Sequence, residues 1–492
     1  MAYGLLLVVL VATAYAFRSS KSRVPHGLRL PPGPPRWPLI GNLLDIPREK
    51  QWKTFDAWAK TYGDLVYIEA LGTRMLLINS PEYVRELFGE RGSIYSNRHH
   101  SVVLNELLHM DWTIIMMPYG DVWRRYRGVL SQFFHHSLLE TYYPAQMKYT
   151  KMFLRKLHES PENLFKHVRY VLGAAITYGI KLLSDNDPLI ELSETTVHKI
   201  TQAAIPGKYL ADFLPFLKYV PAWFPGAGFR RELDQLAKQG MDMIIIPVEL
   251  KNGIEVSSIV STLLKRYEHD PDPPADHDKI VHYVGGVIYV AGVDTMDGQL
   301  LNFFFAMLLH PEVQRTAQAE LDRVIEPGSL PTFKDKEQLP YVQAVYKEVL
   351  RWLTIANVGV PHVLDQDDII GDYFIPKGTM IIGNSRTLLR SKEVYGPDAA
   401  VFRPERFFEG ARDPDWAFGY GRRVCPGKLF GEDTLFIMIA CVLYIFTISP
   451  IEDENGNPIL PREDEDFESG VIMRPIPFQC RILRLPNSGA VD

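Results

Sequence analysis

The chain has 492 residues, 46% of them hydrophobic, 12% aromatic and 23% charged, a balance that supports a sizeable core and excludes a disordered chain. Its 53 basic and 59 acidic residues leave a formal net charge of −6, which gives no general case for nucleic-acid binding. The three cysteines, Cys425, Cys441 and Cys480, are too few for a secreted disulfide framework and favour a reducing compartment.

In chain order, Ala2 to Phe17 carries no charge, and Arg18, Lys21, Arg23 and Arg29 follow it. A removed signal peptide places its positive charge before the apolar run. Charge after the run predicts a retained membrane anchor over residues 1–18, with the body on the cytoplasmic side. Residues 19–36 form a basic and proline-rich hinge, in which Pro31-Pro-Gly-Pro-Pro35 fixes an extended connector. No long low-complexity linker divides the remainder, so 37–492 reads as one folded unit, although length alone suggests about three domains.

Leu65 to Ala70 and Arg74 to Ile78 are β-rich runs around Leu71-Gly72-Thr73 and predict a hairpin. Pro81 opens a helical segment, and helical patterns dominate from there to about residue 350, so this part of the body is mainly α. The apolar 102–117 region, with Trp112 and Met116-Met117, reads either as the roof of a pocket or as ordinary core. Trp123 and Arg127 lie one helical turn apart. Phe213 to Pro225 is too broken by proline for a single helix. Its aromatic residues read either as a segment that dips into a membrane or as a packed core loop. His269 to Asp276 is a polar, proline-rich surface loop.

Ile280 to His310 is a long apolar run with no interior proline, closed by His310-Pro311, and predicts a helix able to cross a whole domain. Inside it stands Ala291-Gly292-Val293-Asp294-Thr295. The small residues let another group come close, and a buried Asp294-Thr295 pair is costly unless satisfied. The plain alternative is a helix kink in which Thr295 bonds a preceding carbonyl. Glu348 and Arg351 are three apart and share a helix face, a pairing that alone is usually solvated. Farther on, Asn357 by itself reads as a loop amide that caps backbone. Tyr373–Pro376 and Thr379–Ile382 are strand-like, a helix runs from Leu429, and Gly470–Arg481 reads as a final hairpin.

Cys425 sits in Phe418-Gly-Tyr-Gly421-Arg-Arg423-Val-Cys425-Pro-Gly427. Glycines let backbone N–H groups reach the sulfur and arginines favour the thiolate, so this cysteine can ligate a metal. The bland alternative is a buried, inert thiol. Cys441 and Cys480 lie in apolar helical and strand-like surroundings, where cysteine packs as a small hydrophobe.

Phe418, Gly421, Arg423, Cys425 and Gly427 together match F-x-x-G-x-R-x-C-x-G, and at these residues the chain resembles the cytochrome P450 superfamily of heme-thiolate monooxygenases. The likeness extends over nearly the whole chain. It implies a mainly α fold with a long central helix over the heme, small sheets near the N- and C-terminal parts, and one N-terminal transmembrane helix. It implies heme b (iron protoporphyrin IX) as cofactor, with Cys425 as the metal ligand and Phe418 and Gly427 beside it. Ala291 and Gly292 would form the oxygen groove, where Thr295 supports bound dioxygen and Asp294 relays protons. Trp123, Arg127, His362 and Arg423 match heme-propionate positions, although plain packing is the alternative for Trp123. Glu348, Arg351 and Arg406 match an internal ion network. Met296, Thr354 and Asn357 depart from the usual family pattern around the pocket, and for Asn357 the resemblance implies the alternative of a hydrogen bond to a substrate.

The same resemblance implies an endoplasmic reticulum protein, single-pass, with its catalytic domain facing the cytosol. Its electrons would come from a separate NADPH-cytochrome P450 reductase, for which Arg124, Arg125, Arg422 and Lys428 are candidate docking residues, a solvated basic face being the alternative for each. The substrate would be a small hydrophobic or aromatic molecule. Trp223-Phe-Pro225 with Gly226 to Arg231 resembles fungal members, which hints at secondary metabolism. Two rivals stand beside this expectation: a heme-thiolate isomerase or dehydratase that does not use O2, and a non-enzymatic anchored heme or lipid binder. Retention of Asp294-Thr295 speaks against both.

Overall fold

A computed structural model describes residues 24–175, 188–205, 207–251 and 259–485. The expected anchor over 1–18 lies outside the described residues. Among the described residues no helix is long and apolar enough to cross a membrane.

The helices of eight or more residues are α1 (Gln51–Tyr62), α2 (Asp121–Phe133), α3 (Leu139–Glu159), α4 (Leu164–Ala175), α5 (Pro188–Ala203), α6 (Gly228–Lys251), α7 (Ile259–Glu268), α8 (His277–Leu309), α9 (Pro311–Val324), α10 (Pro340–Trp352) and α11 (Lys428–Ile445). The long apolar run is α8, 33 residues and so about 50 Å at 1.5 Å per residue. It begins three residues before the expected start, and Pro311 opens α9 directly behind it. Both α8 and α11 are apolar on all sides, the pattern of a helix enclosed by protein. They meet where the Met296 sulfur lies 3.6 Å from the point a Cβ on Gly431 would occupy. Leu300, Phe303, Phe304, Val345, Phe436 and Ile437 form one core around that crossing.

The strands are few. A five-stranded sheet runs in the order β1 (Leu65–Ala70), β2 (Thr73–Ile78), β7 (Met380–Gly383), β4 (His362–Val363), β3 (Asn97–Arg98), and β5 (Asp368–Ile370) pairs β6 (Tyr373–Ile375). The predicted first hairpin is present. Its two-residue turn places Leu71 at φ 47° and Gly72 at φ 79°, the twist a tight hairpin prefers. Both faces of this hairpin are covered, and side chains alternate between two cores. Leu65, Tyr67, Leu76 and Ile78 enter one, and Val66, Ile68, Met75 and Leu77 the other.

The C-terminal hairpin expected over Gly470–Arg481 is displaced. The chain doubles back earlier, at the Phe467↔Pro475 bridge, with Glu468 N–H donating to the Arg474 carbonyl at 2.8 Å. The final strand β10 (Cys480–Arg484) pairs instead with β8 (Phe446–Glu452), which also pairs β9 (Pro458–Ile459). Within Phe213–Pro225 the one helical piece is the short 3-10 turn Pro215–Tyr219, as the prolines predict. Phe213 and Leu214 are buried, while Tyr219, Trp223 and Phe224 are exposed. The core-loop alternative therefore describes only its first residues.

Candidate active site

The Cys425 loop is held by its backbone. Gly419 and Gly421 have φ of 88° and 51°, and the Cys425 N–H donates to the Phe418 carbonyl at 2.8 Å. A Cβ on Gly421 would sit 2.1 Å from the Phe88 carbonyl oxygen, so that position admits only glycine. The Cys425 side chain is accessible, yet surrounding protein raises its thiol pKa, opposed by the Gly427 N–H and the Arg127 charge. A thiol that is reachable and yet desolvated lines an internal cleft. The buried-cysteine alternative fits Cys441, which is fully enclosed.

Above the loop, α8 is buried from Val284 to Tyr289 and again from Met296 to Leu308, but between these stretches, from Val290 to Thr295, six consecutive residues are partly exposed. A Cβ on Gly292 would meet nothing within 4 Å. The helix thus opens over an internal space at Ala291, Gly292, Asp294 and Thr295. Thr295 Oγ1 donates to the Ala291 carbonyl at 2.6 Å, the local bond weighed from sequence, and α8 continues through it without a break. Burial raises the Asp294 pKa, against the nearby charges of Arg169 and His198. Met296 does not face this opening. It is buried in the core at the α11 crossing.

Trp123, Arg127, His362 and Arg423 come together, and the structure adds Arg98. Arg98 pairs with His362 across β3 and β4. Its Nε donates to the Ile115 carbonyl at 2.9 Å and its Nη1 to the Val360 carbonyl at 2.7 Å. Arg423 donates to the carbonyls of Ser96 and Met117 at 2.8 and 2.9 Å. Its guanidinium lies 4.4 Å over the Trp123 ring. Trp123 is 5% exposed, so it packs and fixes Arg423. Burial and mutual repulsion push the Arg98 guanidinium well below its usual range and that of Arg423 down to about 10. Burial also lowers Arg127. His362 is held neutral by burial and by Arg98, with its Nδ1 2.6 Å from the Tyr95 carbonyl. Among the described residues none of these three arginines has a carboxylate within ion-pair distance. Buried cations left uncompensated are costly, so the cluster is built for an anion supplied by a bound molecule.

The E-x-x-R pair is no surface pair. Glu348 accepts from Arg351 Nε and Nη2 at 2.7 Å each, from Arg406 Nε at 3.0 Å and from the Arg403 N–H at 2.8 Å. All three side chains of the network are at most 1% exposed. Asn357 does not cap backbone with its amide. Among the described residues both its side-chain polar atoms lack partners, as does Trp52 Nε1, and the two residues line a cavity of about 20 Å³ with Gly470 and Val471.

The family model for Cytochrome P450 matches residues 31–482. The chain belongs to the cytochrome P450 family. It is 36% identical to Cytochrome P450 monooxygenase COX2 of Coprinopsis cinerea, over 97% of this chain and 92% of that protein. Identity is also 36% to Cytochrome P450 monooxygenase ple1 of Rhodocybe pseudopiperita, with 96% and 92% covered. To the tryptamine 4-monooxygenase of Psilocybe cyanescens it is 35%, with 97% of both chains covered. This P450 is therefore an oxidoreductase of the monooxygenase class whose cofactor is heme b.

The residues present fit that group: a reachable thiol in a glycine loop, an opened stretch of α8, and three arginines without carboxylates for a dianionic edge. Of the candidate docking residues, Lys428 rims a surface cleft of about 720 Å³ beside Gly419–Gly421, together with Arg85, Arg412 and the acids Glu82, Glu393 and Asp415, and it pairs with Asp415. Arg422 donates to Tyr119 Oη at 2.7 Å, whereas Arg124 and Arg125 are engaged by Asp121 and Asp276. Two residues escaped the sequence reading, Arg98 and a second buried acid on α8, Asp297. The only sequence signal for Asp297 was one more charge in an apolar run.

Proposed function

We propose that this P450 oxidises a small hydrophobic or aromatic substrate with O2 and with electrons from a separate NADPH-cytochrome P450 reductase. The observation that carries the reading is the accessible Cys425 thiol in its glycine-braced loop. When bound, heme supplies the oxygen-activating chemistry, and a cysteine thiolate ligand pushes electron density towards its iron. In this reading the Gly427 N–H and Arg127 favour the Cys425 thiolate. Arg98, Arg127, His362 and Arg423, with Trp123 beneath, hold the propionate edge, the planar guanidinium fork suiting carboxylates. Thr295 Oγ1 spends its proton on Ala291 O, which leaves its lone pairs as acceptors in the opening. Asp294, whose pKa burial raises, gives and takes protons there.

Apolar groups pack on α8 to either end of the opened stretch: Trp112 and Ile244 close on Gly286, and Ile355 closes on Gly298, which supports a hydrophobic or aromatic ligand. The name of the Psilocybe relative, an indole-amine oxygenase, lies within that class. Fungal relatives support a place in secondary metabolism. We also propose attachment to the endoplasmic reticulum through residues 1–18, with 37–492 as the cytosolic catalytic domain. The exposed Tyr219, Trp223 and Phe224 support a second membrane contact, and the cleft at Lys428 and Arg412 supports reductase docking there.

A reduced, CO-bound spectrum of the loaded protein tests the core of this reading. A red-shifted thiolate Soret band is expected in the wild type and lost in Cys425→Ala; its absence from the wild type would sink the ligand assignment. Turnover that needs neither O2 nor NADPH would favour an isomerase or dehydratase. Substrate-induced spectral shifts across natural-product classes then identify the ligand.

A further inference from the structure

Asp297 lies three residues after Asp294, on the same side of α8, and is fully buried. Its Oδ2 meets Arg169 Nη2 of α4 at 3.2 Å and Arg474 Nη2 of the C-terminal loop at 3.0 Å. Arg474 reaches both acids of the helix, since its Nη1 is 4.0 Å from Asp294 Oδ1. Asp297 Oδ1 has no partner among the described residues. Farther out on the same loop is Glu468, whose Oε2 is 3.6 Å from His198 Nδ1 on α5. The His198 side chain is 46% exposed. A line of titratable groups therefore runs from solvent to the opened stretch of α8.

We propose that Asp297 is a proton-relay residue that recharges Asp294, itself refilled from solvent through His198 and Glu468, with Arg474 as the cation the two α8 acids share. This rests on the monooxygenase reading and deepens it by naming where protons enter. Protonation of His198 breaks an O–H bond of solvent and forms an N–H bond; in each later transfer one N–H or O–H bond breaks and one O–H bond forms. Solvent protonates His198, His198 passes the proton to Glu468, Glu468 to Asp297 Oδ1, and Asp297 to Asp294, with intervening water carrying any step too long for direct contact. One proton enters for each one consumed at the opening, and no electrons move along the line.

The electrostatics support two populated forms. Burial, together with the negative charges of Asp294 and Glu468, pushes the Asp297 pKa up to about 7 despite Arg169. Burial and Asp294 likewise raise Glu468, against His198 and Arg169. A structural ion pair alone leaves the unpartnered Oδ1 without a purpose. A relay uses it as the proton-accepting atom.

Three variants of the full-length, heme-loaded protein test the proposal with substrate and reductase. Asp297→Asn should lower product formed per NADPH by at least about tenfold while peroxide rises, the scale of a lost general acid. Asp297→Glu should restore coupling with a shifted pH profile. Glu468→Gln, on the half-exposed loop, should flatten the pH profile of coupling and leave folding intact. Independently of turnover, infrared difference spectra between pH 6 and pH 8 should show the carbonyl band of a buried protonated carboxylic acid, absent in Asp297→Asn. Unchanged coupling in Asp297→Asn, or an unchanged pH profile in Glu468→Gln where Asp297→Asn does not load heme, overturns the relay. So does absence of the infrared band. Failure of the monooxygenase reading shows elsewhere, as a wild type without the thiolate Soret band or O2 dependence.

Discussion

Gly421→Ala measures how firmly the Cys425 loop is pressed against the body. At φ 51° an alanine pays about 1–2 kcal/mol for the left-handed backbone. Its Cβ would also lie 2.1 Å from the Phe88 oxygen and 2.9 Å from the Phe88 carbonyl carbon. Phe88 cannot retreat freely, because its ring stacks on Tyr420 at 4.9 Å and meets His362 edge-on at 4.6 Å. Reaching ordinary contact needs a shift of more than about 1 Å, and overpacking of this kind costs about 1–3 kcal/mol. Gly371→Ala is the matched control: its φ is 54° and nothing lies within 4 Å of the added Cβ. The control should lose about 1–2 kcal/mol in urea unfolding and keep the wild-type CO-bound spectrum. Gly421→Ala should lose about 2–5 kcal/mol. Its thiolate Soret band should also shrink, because a displaced loop carries Cys425 with it. Equal unfolding midpoints and equal spectra for the two variants would refute the reasoning.

Glu348→Gln removes the charge between two fully enclosed arginines and should destabilise by about 3–5 kcal/mol; a loss under about 1 kcal/mol in chemical denaturation would contradict the network. Arg98→Met should speed heme transfer to a heme-scavenging protein by about tenfold to a hundredfold, the worth of one charged hydrogen bond. Arg422→Met, outside the cluster, should leave that rate unchanged. In Thr295→Ala, NADPH consumption should continue while product falls and peroxide rises; fully coupled turnover would remove Thr295 from proton handling. Asp297 carries a sign for pH. Its folded pKa of about 7 exceeds an unfolded value of about 3.9, so its proton-linked stabilisation is complete below the lower value and is lost as pH rises through the upper. The stability of the wild type relative to Asp297→Asn should therefore decline from pH 5 to pH 8, and a rise would reverse the assignment.

What was legible in the sequence is what neighbouring residues impose on each other. The Cys425 loop could be read because its glycines, N–H groups and thiol act within ten positions, and the opened stretch of α8 because polar residues interrupt an apolar rod. The C-terminal hairpin was misplaced because β10 takes β8 as partner, a pairing made across the intervening loop. Arg98 stands in an ordinary polar run, Ser96-Asn-Arg98-His-His100, and gains its meaning only when β3 sets it beside His362. Asp297 likewise depends on Arg169 and Arg474, brought to it by α4 and the C-terminal loop. In both cases the sequence displays a charge and conceals the groups that the fold sets around it. The physical clue is the imbalance left after folding: among the described residues Arg98, Arg127 and Arg423 lack a carboxylate partner, and Asp297 keeps one oxygen unpaired. Burial makes both imbalances expensive. A fold retains such costs where a bound group or a moving proton relieves them, and on that ground the proposed heme edge and the proposed proton line rest on these two sites.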